Sequence, residues 1–160
     1  MQKPFILVVD DNRITTKLLR RYLEANGYEA SEAYDGIDCL EKVDQRKPDA
    51  IVLDVMMPRL DGYETVKRLK EQTHTSHIPV VIVTALNDVA NQIKSIEVGA
   101  DDFLSKPIEE KLLVAKVKLL SSLNIATLAN QKYELLLTKI ANNEVKIDGL
   151  NIEAIKEISV

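Results

Sequence analysis

Asp10-Asp11, Asp54, Thr84 and Lys106 each stand at the end of a short apolar run. Ile6-Leu7-Val8-Val9 leads into Asp10, Ala50-Ile51-Val52-Leu53 into Asp54, Val80-Val81-Ile82-Val83 into Thr84, and Phe103-Leu104 toward Lys106. Two adjacent carboxylates beside a third resist full ionisation unless a cation neutralises them. Oxygen donors in this number suit Mg²⁺, which keeps several waters and shares its shell with phosphoryl groups. A carboxylate held at such a metal can act as a nucleophile and become an acyl phosphate. Transfer of a phosphoryl group asks mainly for in-line placement and neutralised oxygens. Asp54 is the candidate nucleophile, Asp10 and Asp11 the candidate metal holders. Of the transferring oxygens, Mg²⁺ would take one, the Lys106 ammonium another, and the Thr84 hydroxyl or nearby backbone amides the third.

To act together these residues need one crevice, and their elements supply it. Runs this short and β-branched read as buried parallel strands, and open α/β sheets bind ligands beyond the carboxyl ends of their strands. Strand and helix alternate five times in the first 108 residues. The first helix carries Ile14, Leu18, Leu19, Tyr22 and Leu23 at helical spacing and stops at Asn26-Gly27. The second turns Ile37, Leu40 and Val43 inward and closes at Lys47-Pro48. The third buries Val66 and Leu69; the fourth, with Val89, Ile93 and Ile96, is stopped by Gly99. Crossovers of this length imply a parallel sheet. Five βα units suit a flavodoxin-like (βα)5 doubly wound α/β sheet, since a closed barrel needs eight.

Beyond Glu109 the pattern changes. No Gly or Pro falls between Leu112 and Asn142, so one long helix is expected. A seven-residue frame puts Leu112, Leu119, Ala126, Tyr133 and Ile140 at one position and Lys116, Leu123, Asn130 and Leu137 at the other. Two fates fit it: a coiled-coil dimer registered by Asn130, or a hairpin with 151–158 through turns at Asn142-Asn143 and Asp148-Gly149. The expected division is a phosphoacceptor domain over 1–122 and a helical extension over 123–160, which is a coiled coil or a linker to an output module.

Bulk properties exclude other classes. Net charge is −4 over 160 residues, with 14 Lys/Arg against 18 Asp/Glu in 1–108 and 7 Lys against 7 Asp/Glu after that. Neither part has the basic surplus of a nucleic-acid binder. No apolar run is read as long enough to cross a bilayer, and Met1-Gln2-Lys3-Pro4 runs straight into a strand, without a signal peptide. Cys39 stands alone, a buried filler in a reducing, cytoplasmic setting. His74 and His77 are too few to hold a metal.

Four motifs together carry a resemblance: Val8-Val9-Asp10-Asp11-Asn12, Asp54-Val55-Met56-Met57-Pro58 with Asp61-Gly62, Thr84-Ala85, and Phe103-Leu104-Ser105-Lys106-Pro107. Over about residues 4–122 the chain resembles the CheY-like receiver domain of bacterial two-component response regulators. The resemblance implies that Asp54 accepts a phosphoryl group from a sensor histidine kinase or a histidine phosphotransfer protein. It implies that Asp10, Asp11, Asp54 and the Met56 backbone carbonyl hold Mg²⁺. Lys106, followed by a cis bond to Pro107, would contact the phosphoryl group. Thr84 would swing toward it while the Phe103 ring turns inward, reshaping the face of the fourth helix, fifth strand and fifth helix for a downstream target or output domain. Phe103 stands where Tyr is commoner, so switching there relies on ring burial alone. Met56 and Leu86 are apolar and cannot orient a hydrolytic water, so slow self-dephosphorylation is expected.

The resemblance describes a switch that catalyses only its own phosphotransfer. Four other readings compete, one of them a degenerate receiver that never takes up phosphate, against which the complete residue set speaks. A haloacid-dehalogenase-type phosphatase would need Asp-x-Asp, yet Asn12 and Met56 stand two after Asp10 and Asp54. A flavin carrier would need a Ser/Thr/Gly-rich phosphate loop in place of Asp10-Asp11-Asn12-Arg13. A receiver fragment of a larger effector, such as a diguanylate cyclase, shares the same site. No DNA binding, no membrane partner and a homodimer through the last helix complete the expectations.

Overall fold

A computed structural model describes residues 2–85 and 89–142. The strands are β1 (Phe5–Val9), β2 (Glu29–Ala33), β3 (Ala50–Asp54), β4 (Val80–Thr84) and β5 (Asp102–Ser105). They alternate with helices α1 (Arg13–Ala25), α2 (Gly36–Gln45), α3 (Gly62–Glu71), α4 (Val89–Glu97) and α5 (Glu110–Ala141). All strand pairs are parallel, in the order β2-β1-β3-β4-β5. This is the flavodoxin-like fold expected from the sequence. The chain divides into two compact units, 1–125 and 126–160, and α5 runs across the division.

Alternation along the strands builds two apolar layers. Leu7, Val9, Ile51, Leu53 and Ile82 pack with Cys39 and Val43 of α2 and with Tyr63, Val66 and Leu69 of α3. Ile6, Val8, Val52, Val81 and Val83 pack with Leu19 and Leu23 of α1 and Leu113 and Val117 of α5. Cys39 lies in the first layer, where burial pushes its thiol up to about 12 and leaves it inert.

Several helix faces differ from the periodicity reading. On α1, Thr16, Leu19 and Leu23 are buried, while Ile14 is 80% exposed and Leu18 is exposed too. The Thr16 hydroxyl takes the inward position because it donates to the buried Glu32 carboxylate at 2.7 Å. On α4 the apolar residues Val89, Ile93 and Ile96 face solvent and only Ser95 is buried; its hydroxyl donates to the Asn91 carbonyl at 2.9 Å. On α5 the first unit buries Leu113, Val117, Ser121 and Asn124, and the heptad residues Leu112, Leu119 and Leu123 are exposed. The proposed turns at Asn143 and Asp148-Gly149 and the 151–158 segment lie outside the described residues.

Against the expectation that no run is long enough to cross a bilayer, one helix passes that test. Helix α5 is long and apolar enough, by length and composition, to cross a membrane, with a mean hydropathy of 1.5 over its best 18 residues. Lys116 and Lys118 break the apolar run in the sequence without lowering that average below a spanning value. A helix packed on a sheet passes the same test, and Leu113 and Val117 of α5 lie in the core of the first unit.

Candidate phosphoacceptor site

Strand register assembles the site. Val9 lies level with Leu53, so Asp10 and Asp54 are the next residues up on neighbouring strands. Asp54 is level with Val83, and Thr84 with Ser105, which puts Lys106 one step further. The chain reverses its direction of winding between β1 and β3, the place where open α/β sheets bind ligands.

Carboxylate oxygens of Asp10, Asp11 and Asp54 lie within 4.8 Å of one another, with Asp10 and Asp54 buried and Asp11 exposed. The Lys106 ammonium reaches Asp10 Oδ2 at 3.1 Å and Asp54 Oδ1 at 3.2 Å. One cation against three carboxylates leaves the cluster negative. Burial and the Asp10 charge therefore raise the Asp54 carboxyl above the ordinary range, although Lys106 pulls the other way. Burial lowers the Lys106 ammonium, but its hydrogen bond to Asp10 and the charges of Asp54 and Asp10 outweigh that and raise it. A hard divalent cation fits this set: three closely spaced oxygen donors, one exposed to solvent, in a pocket short of positive charge.

Asp10 and Asp11 are not helix caps. The cap of α1 is Asn12, whose Oδ1 accepts from Ile14 N–H at 2.9 Å and Thr15 N–H at 3.3 Å. Asp10 Oδ1 accepts the Asn12 amide at 2.8 Å, outside the helix. Asn12 carries no cap role in the sequence expectations, although a polar residue just before an amphipathic helix is a cap signal. Thr84 is buried and its carbonyl accepts the Lys106 amide at 2.9 Å. Ala85 and Pro107 are exposed, and the Lys106–Pro107 bond is cis. Phe103 lies outside the crevice. It is half-buried on β5 beside a cleft of about 180 Å³ lined by Ser95, Ile96 and Ala100. The Met56 side chain is 68% exposed; Leu86 lies outside the described residues.

The loop after Asp54 is held closely. Gly62 N–H donates to the Val55 carbonyl at 2.9 Å, and a Cβ at Gly62 would run into the Asp54 carbonyl and Val55 Cα. Asp61 caps α3 by accepting the Glu64 amide at 2.8 Å. Arg59 Nε donates to Asp35 Oδ2 at 2.8 Å, an ion pair across 24 residues that no local sequence pattern signals.

The receiver-domain model of response regulators matches residues 6–118, which include every one of these residues. The chain belongs to the response regulator receiver domain family. It is 46% identical to the response regulator PleD of Caulobacter vibrioides over 72% of this chain and 26% of PleD. It is 43% identical to the response regulator MprA of Mycobacterium ulcerans over 72% of this chain and 49% of MprA. The chain thus spans half or less of the curated relatives it matches. Among solved structures, the receiver domain of a Francisella response regulator superposes with a TM-score of 0.71 at 33% identity, covering 75% of this chain and 98% of that one. The receiver domain is a signalling module of two-component systems.

Proposed function

We propose that this receiver takes a phosphoryl group onto Asp54 from a sensor histidine kinase or histidine phosphotransfer protein, with Mg²⁺ held by Asp10, Asp11, Asp54 and the Met56 carbonyl. The observation that carries this reading is the convergence of three carboxylates and the Lys106 ammonium at one set of strand ends. Bound Mg²⁺ would supply positive charge to the carboxylates and to the transferring oxygens. Asp54 ends a central strand, its backbone level with Val83 of β4, and a carboxylate oxygen attacks phosphorus in line. The new P–O bond forms as the donor nitrogen–phosphorus bond breaks, and the donor keeps that electron pair. Lys106 exchanges its carboxylate partner for a phosphoryl oxygen, and the Thr84 hydroxyl donates to another. Withdrawal of Thr84 opens room behind β4 for the Phe103 ring, and α4 adjusts over it.

Phosphorylation is then a local anion biasing a two-state element. Its readout is the α4-β5-α5 face, carrying the exposed Val89, Ile93 and Ile96. Exposed Leu112, Leu119 and Leu123, seven and four residues apart on α5, suit a homodimer or a helical path into an output domain. Such a module works in the cytoplasm, without contacting DNA itself. Met56, two residues after Asp54, is apolar and cannot orient a hydrolytic water, so dephosphorylation is slow; a phosphorylated half-life of seconds would contradict it.

Acetyl phosphate with Mg²⁺, read by intact mass, tests the reading. One phosphate adduct is expected on the wild type and none on Asp54→Asn. An adduct that survives Asp54→Asn refutes it, as does none on a folded wild type.

A further inference from the structure

Met56 belongs to a seven-residue loop, 55–61, whose far end is tied to the opposite wall of the crevice by one ion pair. Arg59 Nε and a terminal guanidinium nitrogen both reach Asp35 Oδ2, at 2.8 and 2.7 Å. The Asp35 carboxylate is a firm anchor. It is buried, and its Oδ1 accepts the Asp38 amide at 2.9 Å as the cap of α2. Burial raises its carboxyl, but the Asp38 amide and the Arg59 guanidinium outweigh that and hold it below the ordinary range. Asp35 lies two residues beyond Ala33, whose carbonyl accepts the Asp10 amide at 3.2 Å. The anchor therefore stands on the wall that carries the acidic pair.

The loop end of the tie is conformationally disfavoured. Arg59 has φ 66°, the only non-glycine positive φ among the described residues. It is the centre of a three-residue turn closed by Leu60 N–H donating to the Pro58 carbonyl at 2.8 Å. Such turns are rare and strained, and left-handed backbone is unfavourable for an L side chain. A disfavoured backbone persists where its surroundings over-determine it. Two contacts do so here: the Asp35 ion pair and the Gly36 amide donating to the Leu60 carbonyl at 3.3 Å. The second requires close approach, because a Cβ at Gly36 would meet the Thr65 hydroxyl and the Leu60 carbonyl.

We propose that Arg59 and Asp35 form a latch that positions the Met56 carbonyl and so strengthens divalent-cation binding at the acidic cluster. Both are positioning residues. The inference rests on the reading of Asp10, Asp11 and Asp54 as the Mg²⁺ site.

The sign of the effect separates the latch from plain electrostatics. Removing a positive charge near a cation site should tighten Mg²⁺ binding by Coulomb's law alone. Loss of the latch should weaken it instead. Arg59→Asn is the informative variant, because Asn tolerates the left-handed backbone but is too short to span to Asp35. Mg²⁺ titration followed by backbone amide shifts in NMR spectra of the unphosphorylated protein reads affinity without any activity. Arg59→Asn is expected to weaken Mg²⁺ roughly tenfold, the scale seen for outer-shell partners of metal ligands, and Arg59→Lys to recover part of it. Unchanged or tighter binding in a folded Arg59→Asn protein overturns the latch. Asp10→Asn distinguishes the two levels of failure. If it loses Mg²⁺ while Arg59→Asn does not, only the latch falls; if it binds as the wild type does, the metal-site reading falls and takes the latch with it.

Discussion

Helices α3 and α4 are nearly the same length, ten and nine residues, yet they are attached to the molecule in opposite ways. α3 buries Tyr63, Thr65, Val66 and Leu69 and begins against the backbone of Asp54. α4 buries only Ser95 and turns Val89, Ile93 and Ile96 to solvent. The first belongs to the scaffold that fixes the phosphoacceptor. The second has little apolar contact to lose on moving, which is what a responsive element needs. Tyr63 on α3 reaches α4: its hydroxyl lies 3.2 Å from Asn91 Oδ1 and 3.4 Å from the Asn91 carbonyl oxygen, and the Lys94 ammonium sits 4.5 Å from the centre of its ring.

The contrast can be broken by experiment, beginning where the effect is largest. Leu69→Ala in α3 is expected to cost about 2–5 kcal/mol in urea unfolding, because it leaves a cavity in a closed layer. A loss under about 1 kcal/mol would show that α3 is no firmer than α4. Beryllofluoride with Mg²⁺ should next change amide hydrogen exchange across α4 and β5 while the slow amides of α3 stay put. Uniform change in both helices would remove the distinction. Third is a stability effect at the site. The Asp54 carboxyl is raised in the folded state, so its contribution is fully present below its unfolded value of 3.8 and is lost as pH rises through the folded value. Without Mg²⁺, Asp54→Asn should therefore raise the thermal midpoint at neutral pH by roughly 2–5 °C, with the gain vanishing near pH 4. A lower midpoint at pH 7 would contradict the crowded-charge account. Smallest is Ile96→Ser on α4, expected to shift stability by less than about 0.5 kcal/mol; a larger loss would mean that Ile96 is a packing residue after all.

How legible this was in the sequence follows the same contrast. Strand ends were readable because short apolar runs stop abruptly at polar residues: β3 ends at Asp54, β4 at Thr84 and β5 at Ser105, each as expected. α3 was readable because Val66 and Leu69 are simply inward. α4 misled because apolar spacing signals a helical face, not which way it points, and Val89, Ile93 and Ile96 point outward. Ile14 and Leu18 misled on α1 for the same reason, with Thr16 drawn inward by the Glu32 carboxylate. The acidic cluster and Lys106 were legible as residue types on strand ends. The Arg59–Asp35 tie was not, since it joins two loops that only the folded sheet brings together.

Locating the phosphoryl group tests Asp54 as its acceptor. Borohydride reduces an aspartyl phosphate to homoserine, so protein treated with acetyl phosphate and Mg²⁺, reduced and digested, reports the acceptor by peptide mass. Homoserine is expected at position 54 and at no other aspartate, dependent on Mg²⁺. Homoserine at position 10 or 11, or a phosphate on Thr84 that borohydride leaves intact, would contradict it.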